Sequence, residues 1–253
     1  MTKRLGIIQS RGLGDIVIAL PIAHYYHRQG YHVHWPIAQQ FIPHVEHHVP
    51  WVKWIPLTVD PGAYFYHTPY QRLRNFGCDE IICLYQSLTG HPELQARPEF
   101  QIMKFDQIKY AVAGVPFLNK WALDQCITRN LIEEERLRYQ LNPNNQPYAI
   151  LHLEGSDHRA EFDRSYIPEE YVQIEITGQT KSIFDWIGLL ESAEVIVCVD
   201  SVMANLSDQL LIPTKVDSYF IPRSHIQLTP VLNGPWTTLD PGQATETKIR
   251  IFR

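Results

Sequence analysis

The feature that most constrains the fold is an apolar run, residues 5–8, that ends in a glycine-containing turn and continues as an apolar helix. Such a run is typical of a short buried strand, and Gly12 and Gly14 permit a tight turn. In an α/β sheet this turn lies at the carboxyl end of a strand, where ligands bind. Asp15 follows in the first helical turn, where the helix dipole favours a carboxylate. The stretch therefore predicts an α/β fold, and we interpret Asp15 as a candidate catalytic base.

The first half of the chain continues with strand and helix patterns in alternation. The helix that begins at about Asp15 contains Pro21, which is expected to kink it or to divide off a short first segment. Alternation at residues 31–35 predicts a second strand, and an apolar run at residues 78–84 predicts another. Residues 123–139 predict a long helix. This order of elements is typical of a parallel α/β unit.

A second half begins after residues 142–147, which carry two prolines and no apolar side chain and so predict a linker. Apolar runs at residues 148–153 and 195–199 predict buried strands beyond it. We therefore expect two Rossmann-like α/β domains, residues 1–141 and 147–253, which face a central crevice.

Composition describes a globular chain of 253 residues with a formal net charge of −5. That charge does not support nonspecific binding to nucleic acids or membranes, which usually requires a basic face. No stretch reaches the ~18 apolar residues that a membrane span needs, and the first residues lead directly into a strand instead of a secretory signal. We expect a cytoplasmic location.

Cysteine, histidine and aromatic residues offer weaker signals. The four cysteines form no CxxC pair and predict buried, reduced thiols. The twelve histidines include closely spaced pairs but no HExxH motif, so no metal site is expected. Aromatic side chains could form a platform on which a sugar or a base stacks, or could belong to the core; they are Trp51, Trp54, Tyr64, Tyr66 and Tyr70.

The glycine turn alone leaves several functions open. Gly12 and Gly14 lack the third glycine of a dinucleotide fingerprint, and the second predicted strand, which ends at His34 and Trp35, has no acidic residue there. An NAD(P)-dependent dehydrogenase is therefore disfavoured, and no P-loop motif occurs. Asp15 could also serve only as a helix cap.

Two stretches of the second half could bind a diphosphate. Asp200 and Ser201 follow a buried strand and begin a helix, whose unpaired backbone N–H groups and dipole attract anions. Arg159 and Arg164 lie in the loop after residues 148–153, and guanidinium groups bind phosphate in a bidentate manner. An ordinary capped helix and a mixed-charge surface loop are the alternatives.

Taken together, these stretches resemble the heptosyltransferases, glycosyltransferases of the two-domain GT-B fold. The turn from Gly12 to Asp15, with Pro21 behind it, is similar to the amino-terminal signature of that family. Residues 164–171, residues 176–182 and the pair Asp200 and Ser201 are similar in order and spacing to its donor-binding half. The resemblance covers about the first 35 residues and roughly residues 150–215.

The resemblance implies a metal-independent, inverting transfer of a sugar from a nucleoside-diphosphate sugar, with no other cofactor. Asp15 matches the general base, and Arg164 matches a lysine that neutralises the departing phosphate. The acceptor would be a glycan or a lipid-linked saccharide, or else a modified DNA base. The residues expected to bind the donor and its phosphates are Gly12, Gly14, Arg159, Arg164, Thr177, Gly178, Asp200, Ser201 and Asn205.

The sequence also departs from the family pattern. Val202 stands where the family has a glycine, and Asn205 stands where it has a histidine. Few residues separate Arg164 from the strand predicted at residues 171–176, so the second domain is expected to be trimmed. These departures motivate an alternative function, a nucleotide or nucleotide-sugar binding protein without catalysis.

Overall fold

A computed structural model describes residues 3–58, 65–85, 103–156, 158–223 and 231–239. The chain divides into two compact units, Met1–Thr128 and Arg129–Arg253. Each unit is an α/β structure built on its own parallel sheet.

The N-terminal unit contains a four-stranded parallel sheet in the order β3-β2-β1-β4. β1 lies between two neighbours, and Leu5, Ile7 and Ile8 are fully buried, as expected for an apolar strand covered on both faces. The strands are β1 (Arg4–Ile8), β2 (His32–Ala38), β3 (Val52–Leu57) and β4 (Glu80–Cys83). The α-helices are α1 (Leu13–Arg28), α2 (Ile42–Val45), α3 (His67–Asn75) and α4 (Phe105–Val112).

Helix α1 runs through Pro21 without interruption, so the segmentation expected at this proline is not found. Residues 16–23 are all buried, and this packing offsets the hydrogen bond that proline cannot make. The hydroxyl of Tyr110 donates to the carbonyl oxygen of Ile18, one turn before the proline, at 3.1 Å. Gly30, with φ of +90°, follows the helix as a natural stop.

The long helix predicted over residues 123–139 is two separate elements. A 3₁₀ segment, Phe117–Gln125, ends before Cys126, and α5 (Leu131–Leu141) begins after Asn130. The side chain of Asn130 accepts a hydrogen bond from the backbone N–H of Glu133, which is the arrangement of an N-cap.

Helix α5 packs within the C-terminal unit, against the 3₁₀ turn Ile183–Trp186 and the helix that follows it, α6 (Ile187–Ser192). Arg129, just ahead of α5, forms an ion pair with Glu134 and a second with Glu191 at 2.7 Å. The division between the units therefore falls before α5, whereas the sequence predicts a boundary after it, in residues 142–147.

The C-terminal unit contains a five-stranded parallel sheet in the order β6-β5-β7-β8-β9. Among the described residues, the connection between β5 and β6 contains no α-helix, only an antiparallel bridge between Glu154 and Arg159 and the 3₁₀ turn Arg164–Tyr166, which agrees with the expected trimming. The strands are β5 (Tyr148–His152), β6 (Val172–Glu175), β7 (Val195–Val199), β8 (Asp217–Ile221) and β9 (Thr237–Thr238). The helix after β7 is α7 (Val202–Gln209), and the 3₁₀ turn Ile212–Thr214 follows it.

A buried carboxylate ties the last described segment to α7. Asp208 accepts hydrogen bonds from the backbone N–H groups of Asn233 and Gly234, at 3.0 and 2.7 Å, and from the indole N–H of Trp236 at 3.2 Å. Three donors compensate the desolvation of this group, which is buried within the unit.

The cysteine side chains and the lengths of the helices are also predicted from the sequence. Cys78, Cys83, Cys126 and Cys198 are all free and buried, as predicted. No helix within the described ranges is both long enough and apolar enough to cross a bilayer.

Candidate active site

The turn between β1 and α1 is fixed by aromatic side chains of neighbouring strands. The hydroxyl of Tyr85 accepts hydrogen bonds from the backbone N–H groups of Ser10 and Arg11, both at 2.9 Å. The indole of Trp35 donates to the carbonyl oxygen of Gln9 at 3.0 Å. These hydrogen bonds hold the backbone in place at the carboxyl end of β1.

Gly12 and Asp15 lie in direct contact just after β1. Gly12 occupies the N-cap position of α1 with φ of +76°, a conformation that favours glycine. A Cβ atom at this position would lie 2.5 Å from Oδ2 of Asp15, so a side chain there would displace the carboxylate. Gly14 is already within the helix, and Asp15 lies in its first turn.

Lys109, on α4, is the second charged group of this edge, and the sequence analysis missed it. Its side chain is 1% exposed, and Nζ lies 3.7 Å from Oδ1 of Asp15, whose side chain is 30% exposed. Nζ donates to Oε1 of Gln9 and, at 3.3 Å, to the carbonyl oxygen of Leu84. Burial lowers the pKa of Lys109, and the nearby Asp15 carboxylate acts in the opposite direction.

The sequence does contain a signal for Lys109. Phe105, Ile108 and Lys109 share one face of α4 by helical spacing, so a lysine interrupts an otherwise apolar face. The ammonium lies 4.1 Å from the centroid of the Phe105 ring, a cation–π distance. A lysine on the buried face of a short helix thus predicts a buried partner.

The structure does not bring the proposed aromatic platform together. Tyr66 and Tyr70 stack with ring centroids 5.3 Å apart, but Trp54 stacks on Trp35 within the sheet. Trp51 stacks on a histidine of α1, and its indole donates to the backbone of residue 126. Tyr64 lies outside the described residues.

In the C-terminal unit, the carboxyl ends of parallel strands bring several predicted residues to one edge of the sheet. Ser201, two residues after the end of β7, has its Oγ 2.8 Å from Nδ1 of His152, the last residue of β5. Asp200 has its Oδ2 3.2 Å from Nε of Arg223, which follows β8. His152 and Arg223 are additions to the predicted set, and both are polar residues at or beyond the end of an apolar strand.

Burial lowers the pKa of His152 to about 4. At neutral pH this histidine is uncharged when folded and when unfolded. As pH falls below about 6.5, His152 binds a proton in the unfolded chain, whereas in the folded chain it stays neutral until about pH 4. The free energy of unfolding therefore declines over that range.

We expect the His152→Gln variant to lose part of this acid sensitivity, because glutamine does not titrate. The integrated effect is about 3 kcal/mol at most between pH 7 and pH 4. Urea unfolding at several pH values would measure it, with His32→Gln, at an exposed position, as the control. If stability declines equally with pH in the His152→Gln variant and in the unaltered protein, His152 is not the source of the acid sensitivity.

The two arginines predicted to bind phosphate meet at a carboxylate. Arg159 lies 2.9 Å from Oε1 of Glu175, at the end of β6, and Arg164 forms an ion pair with Oε2 of the same residue. The structure therefore places both guanidinium groups around one anionic group. The register that sets Leu151 of β5 opposite Glu175 brings the loop after β5 to this position.

Other predicted donor-site residues have structural partners. The backbone N–H of Thr177 donates to Oε1 of Gln179 at 2.7 Å. Gly178 does not have a positive φ, and a Cβ there would meet open space, so neither conformation nor packing requires glycine. Asn205 lies in the first turn of α7, with its backbone N–H on the carbonyl oxygen of Ser201 at 3.2 Å.

Metal ligands do not gather in the part of the chain that the structure describes. No group of three or more histidine, cysteine or acidic side chains there is arranged to hold an ion. The charges at both edges come from lysine, arginine and carboxylate side chains.

No protein-family model matches this sequence, and no curated protein matches it. Solved structures do match. A glycosyl transferase family 9 protein from Veillonella parvula is 11% identical, with a TM-score of 0.59 over 94% of this chain and 85% of that one. The ADP-heptose LPS heptosyltransferase II of E. coli is 12% identical, with a TM-score of 0.53 over 94% and 90% of the two chains.

A third solved structure, E. coli heptosyltransferase WaaC with ADP-2-deoxy-2-fluoro heptose, is 11% identical, with a TM-score of 0.52 over 93% of this chain and 92% of that one. At these identities the likeness establishes the fold. The chain has a heptosyltransferase-like, mixed α/β fold with parallel Rossmann-like sheets, as the sequence resemblance predicts.

Proposed function

We propose that this protein transfers a sugar from a nucleoside-diphosphate sugar to an acceptor hydroxyl, with inversion and without a metal ion. The observation that carries the proposal is the position of Asp15. Its partly exposed carboxylate lies at the carboxyl end of the central strand β1, between Gly12 and the buried ammonium of Lys109. The common fold of solved glycosyltransferases supports it.

In this mechanism Asp15 accepts the proton of the acceptor hydroxyl. The acceptor oxygen forms a bond to the anomeric carbon of the donor, and the bond from that carbon to the diphosphate oxygen breaks. The electron pair leaves with the nucleoside diphosphate, and configuration at the carbon is inverted. Asp15 would contribute about 10²- to 10⁴-fold, as positioned general bases do.

The C-terminal unit supplies groups that suit the charge developing on the leaving diphosphate. The N-terminus of α7 presents backbone N–H groups behind Ser201, and Arg223 adds a cation beside it. We propose that Arg159 and Arg164 also bind phosphate, exchanging Glu175 for the ligand. Thr177, Gly178 and Asn205 are the other residues of this unit that we propose to bind the donor, and Gly12 and Gly14 of the N-terminal unit stay proposed donor-binding residues.

The structural neighbours support a choice of donors to test first. One is described as an ADP-heptose LPS heptosyltransferase and another was solved with an ADP-linked fluoro-heptose, so ADP-sugars are the first donors to test. We propose a glycan or lipid-linked saccharide as acceptor. A modified DNA base is a less favoured acceptor, because the net charge is −5.

One observation favours the alternative of nucleotide-sugar binding without catalysis. Glu175 already engages both Arg159 and Arg164, so these cations are partly neutralised within the protein. Val202 and Asn205, the departures from the family pattern, lie in the same unit. This alternative predicts tight binding of a donor and no product with any acceptor.

A thermal-shift panel tests the proposal. Each ligand would be added separately, since a ligand that binds only the folded state raises the melting temperature. The ligands are ADP, UDP, GDP, CDP, representative sugar conjugates of each, and NADH. We expect one nucleoside diphosphate and its sugar conjugate to raise the melting temperature. At a ligand concentration of 100 times Kd, binding stabilises the folded state by about 2.7 kcal/mol. The Arg223→Gln variant should show a smaller shift, whereas Arg138→Gln, in the ion-paired surface of α5, should match the unaltered protein. A response to NADH alone, or to nothing, would contradict the proposal.

A further inference from the structure

The buried ammonium of Lys109 has a specific set of acceptors. Gln9 Oε1 and the Leu84 carbonyl oxygen accept hydrogen bonds from Nζ, and Asp15 Oδ1 lies 3.7 Å away. Two of these acceptors are neutral. An ammonium that is 1% exposed needs a compensating anion, because desolvation of a lone charge costs several kcal/mol.

The other titratable groups around Lys109 do not supply that anion. Asp106 lies on the same helix, but it is 0% exposed and pairs with Lys120 at 2.6 Å. Burial raises the pKa of the Cys83 thiol, and it raises the pKa of Tyr85 to about 12, so both are neutral at physiological pH. Arg11, which faces Tyr85 from the β1–α1 turn, is a cation. Within the described part of the chain, Asp15 is the carboxylate that offsets Lys109.

The two oxygens of Asp15 have different surroundings. Oδ1 faces the Lys109 ammonium, while Oδ2 lies over Gly12, where the absence of a side chain leaves room for it. The carboxylate is thus oriented from one side by a charge and from the other by backbone. Because the side chain is 30% exposed, solvent or a substrate can still reach it.

We propose that Lys109 is the positioning residue of this site, and that its ammonium holds the Asp15 carboxylate ionised and oriented so that the carboxylate can accept the proton of an acceptor hydroxyl. The proposal rests on the proposed function of Asp15 as the general base. Lys109 touches neither donor nor acceptor in this scheme and acts only through Asp15.

Loss of the ammonium has a defined consequence. The Asp15 carboxylate would then bind a proton at higher pH, because the charge that favours its ionised form is gone. In the Lys109→Met variant we therefore expect the acid limb of the pH–rate profile to move to higher pH by about one unit or more. The Michaelis constant for the donor should stay unchanged while kcat falls.

The decisive measurement uses the complete protein without any ligand. Carboxyl ¹³C resonances of labelled aspartate are followed from pH 2.5 to 8, and the Asp15 signal is assigned by its loss in Asp15→Asn. In Lys109→Met, its titration midpoint should rise by about one unit or more. The matched control is the double variant Asp106→Asn with Lys120→Met, which removes an equally buried lysine together with its partner. That control should leave the Asp15 midpoint in place.

A second variant covers the case in which Lys109→Met does not fold. Gln9→Glu keeps the lysine and adds a carboxylate where Gln9 already accepts its hydrogen bond, so it competes with Asp15 for the ammonium. The Asp15 midpoint should again rise. An unchanged midpoint in a folded variant overturns the role of Lys109. A raised midpoint in a protein that transfers no sugar from any donor instead overturns the proposed function and leaves the pairing intact.

Discussion

The Asp15→Asn variant is expected to lose transferase activity, with kcat lower by about 10²- to 10⁴-fold. Asparagine retains the size of the side chain at the Gly12 contact but cannot take a proton from the acceptor hydroxyl. Asp15→Ala should be at least as inactive. Release of nucleoside diphosphate from the donor found in the thermal-shift panel, measured with acceptor present, would show the loss.

Donor binding separates a catalytic defect from a folding defect. The thermal shift caused by the nucleoside diphosphate should be nearly the same in Asp15→Asn and in the unaltered protein, since the cationic side chains proposed to bind its phosphates, Arg159, Arg164 and Arg223, lie in the C-terminal unit. Asp124→Asn, at an exposed position of the N-terminal unit, is the matched control and should retain full turnover. Turnover that is unchanged in Asp15→Asn would refute the assignment of the base.

The second large effect is on stability. Lys120→Met is expected to destabilise the N-terminal unit by about 3–5 kcal/mol, because it leaves the Asp106 carboxylate buried and without the ammonium that lies 2.6 Å away. Asp106→Asn should have a similar effect on Lys120. Urea unfolding followed by tryptophan fluorescence would measure both variants.

The double variant Asp106→Asn with Lys120→Met distinguishes a charge effect from a packing effect. When both partners are removed, no buried charge is left, so stability should return to within about 1–2 kcal/mol of the unaltered protein. If the two single losses simply add in the double variant, the ion pair is not the cause.

Much of the fold could be predicted because its buried strands are apolar runs with sharp ends. β7 agrees with the predicted residues 195–199, and the turn at Gly12 ends β1 as expected. The errors arise where local preference is ambiguous. No glycine or proline interrupts residues 123–139, but Asn130 accepts a hydrogen bond from the N–H of Glu133 through its side chain and so begins a new helix.

The candidate site was only partly predictable, because ion pairing depends on which strands become neighbours. Asp15, Asp200 and Ser201 are visible from their place after apolar strands. Several of the ion pairs depend on the packing of residues that are separated in sequence. They are the pairing of Arg159 and Arg164 with Glu175 and the approach of Lys109 to Asp15. The sequence shows the charge of such groups but not their partners.

The carboxylate of Asp208 also sets an order on how the chain can fold as it is synthesised. The described donors on Asn233, Gly234 and Trp236 come 25 to 28 residues later in the sequence, so α7 leaves the ribosome before these hydrogen bonds can form. The N-terminal unit ends at Thr128, so all of its residues are synthesised earlier. A nascent chain halted before Asn233 would therefore lack these hydrogen bonds and hold an unfinished second unit, a state open to chaperones and proteases until Trp236 emerges.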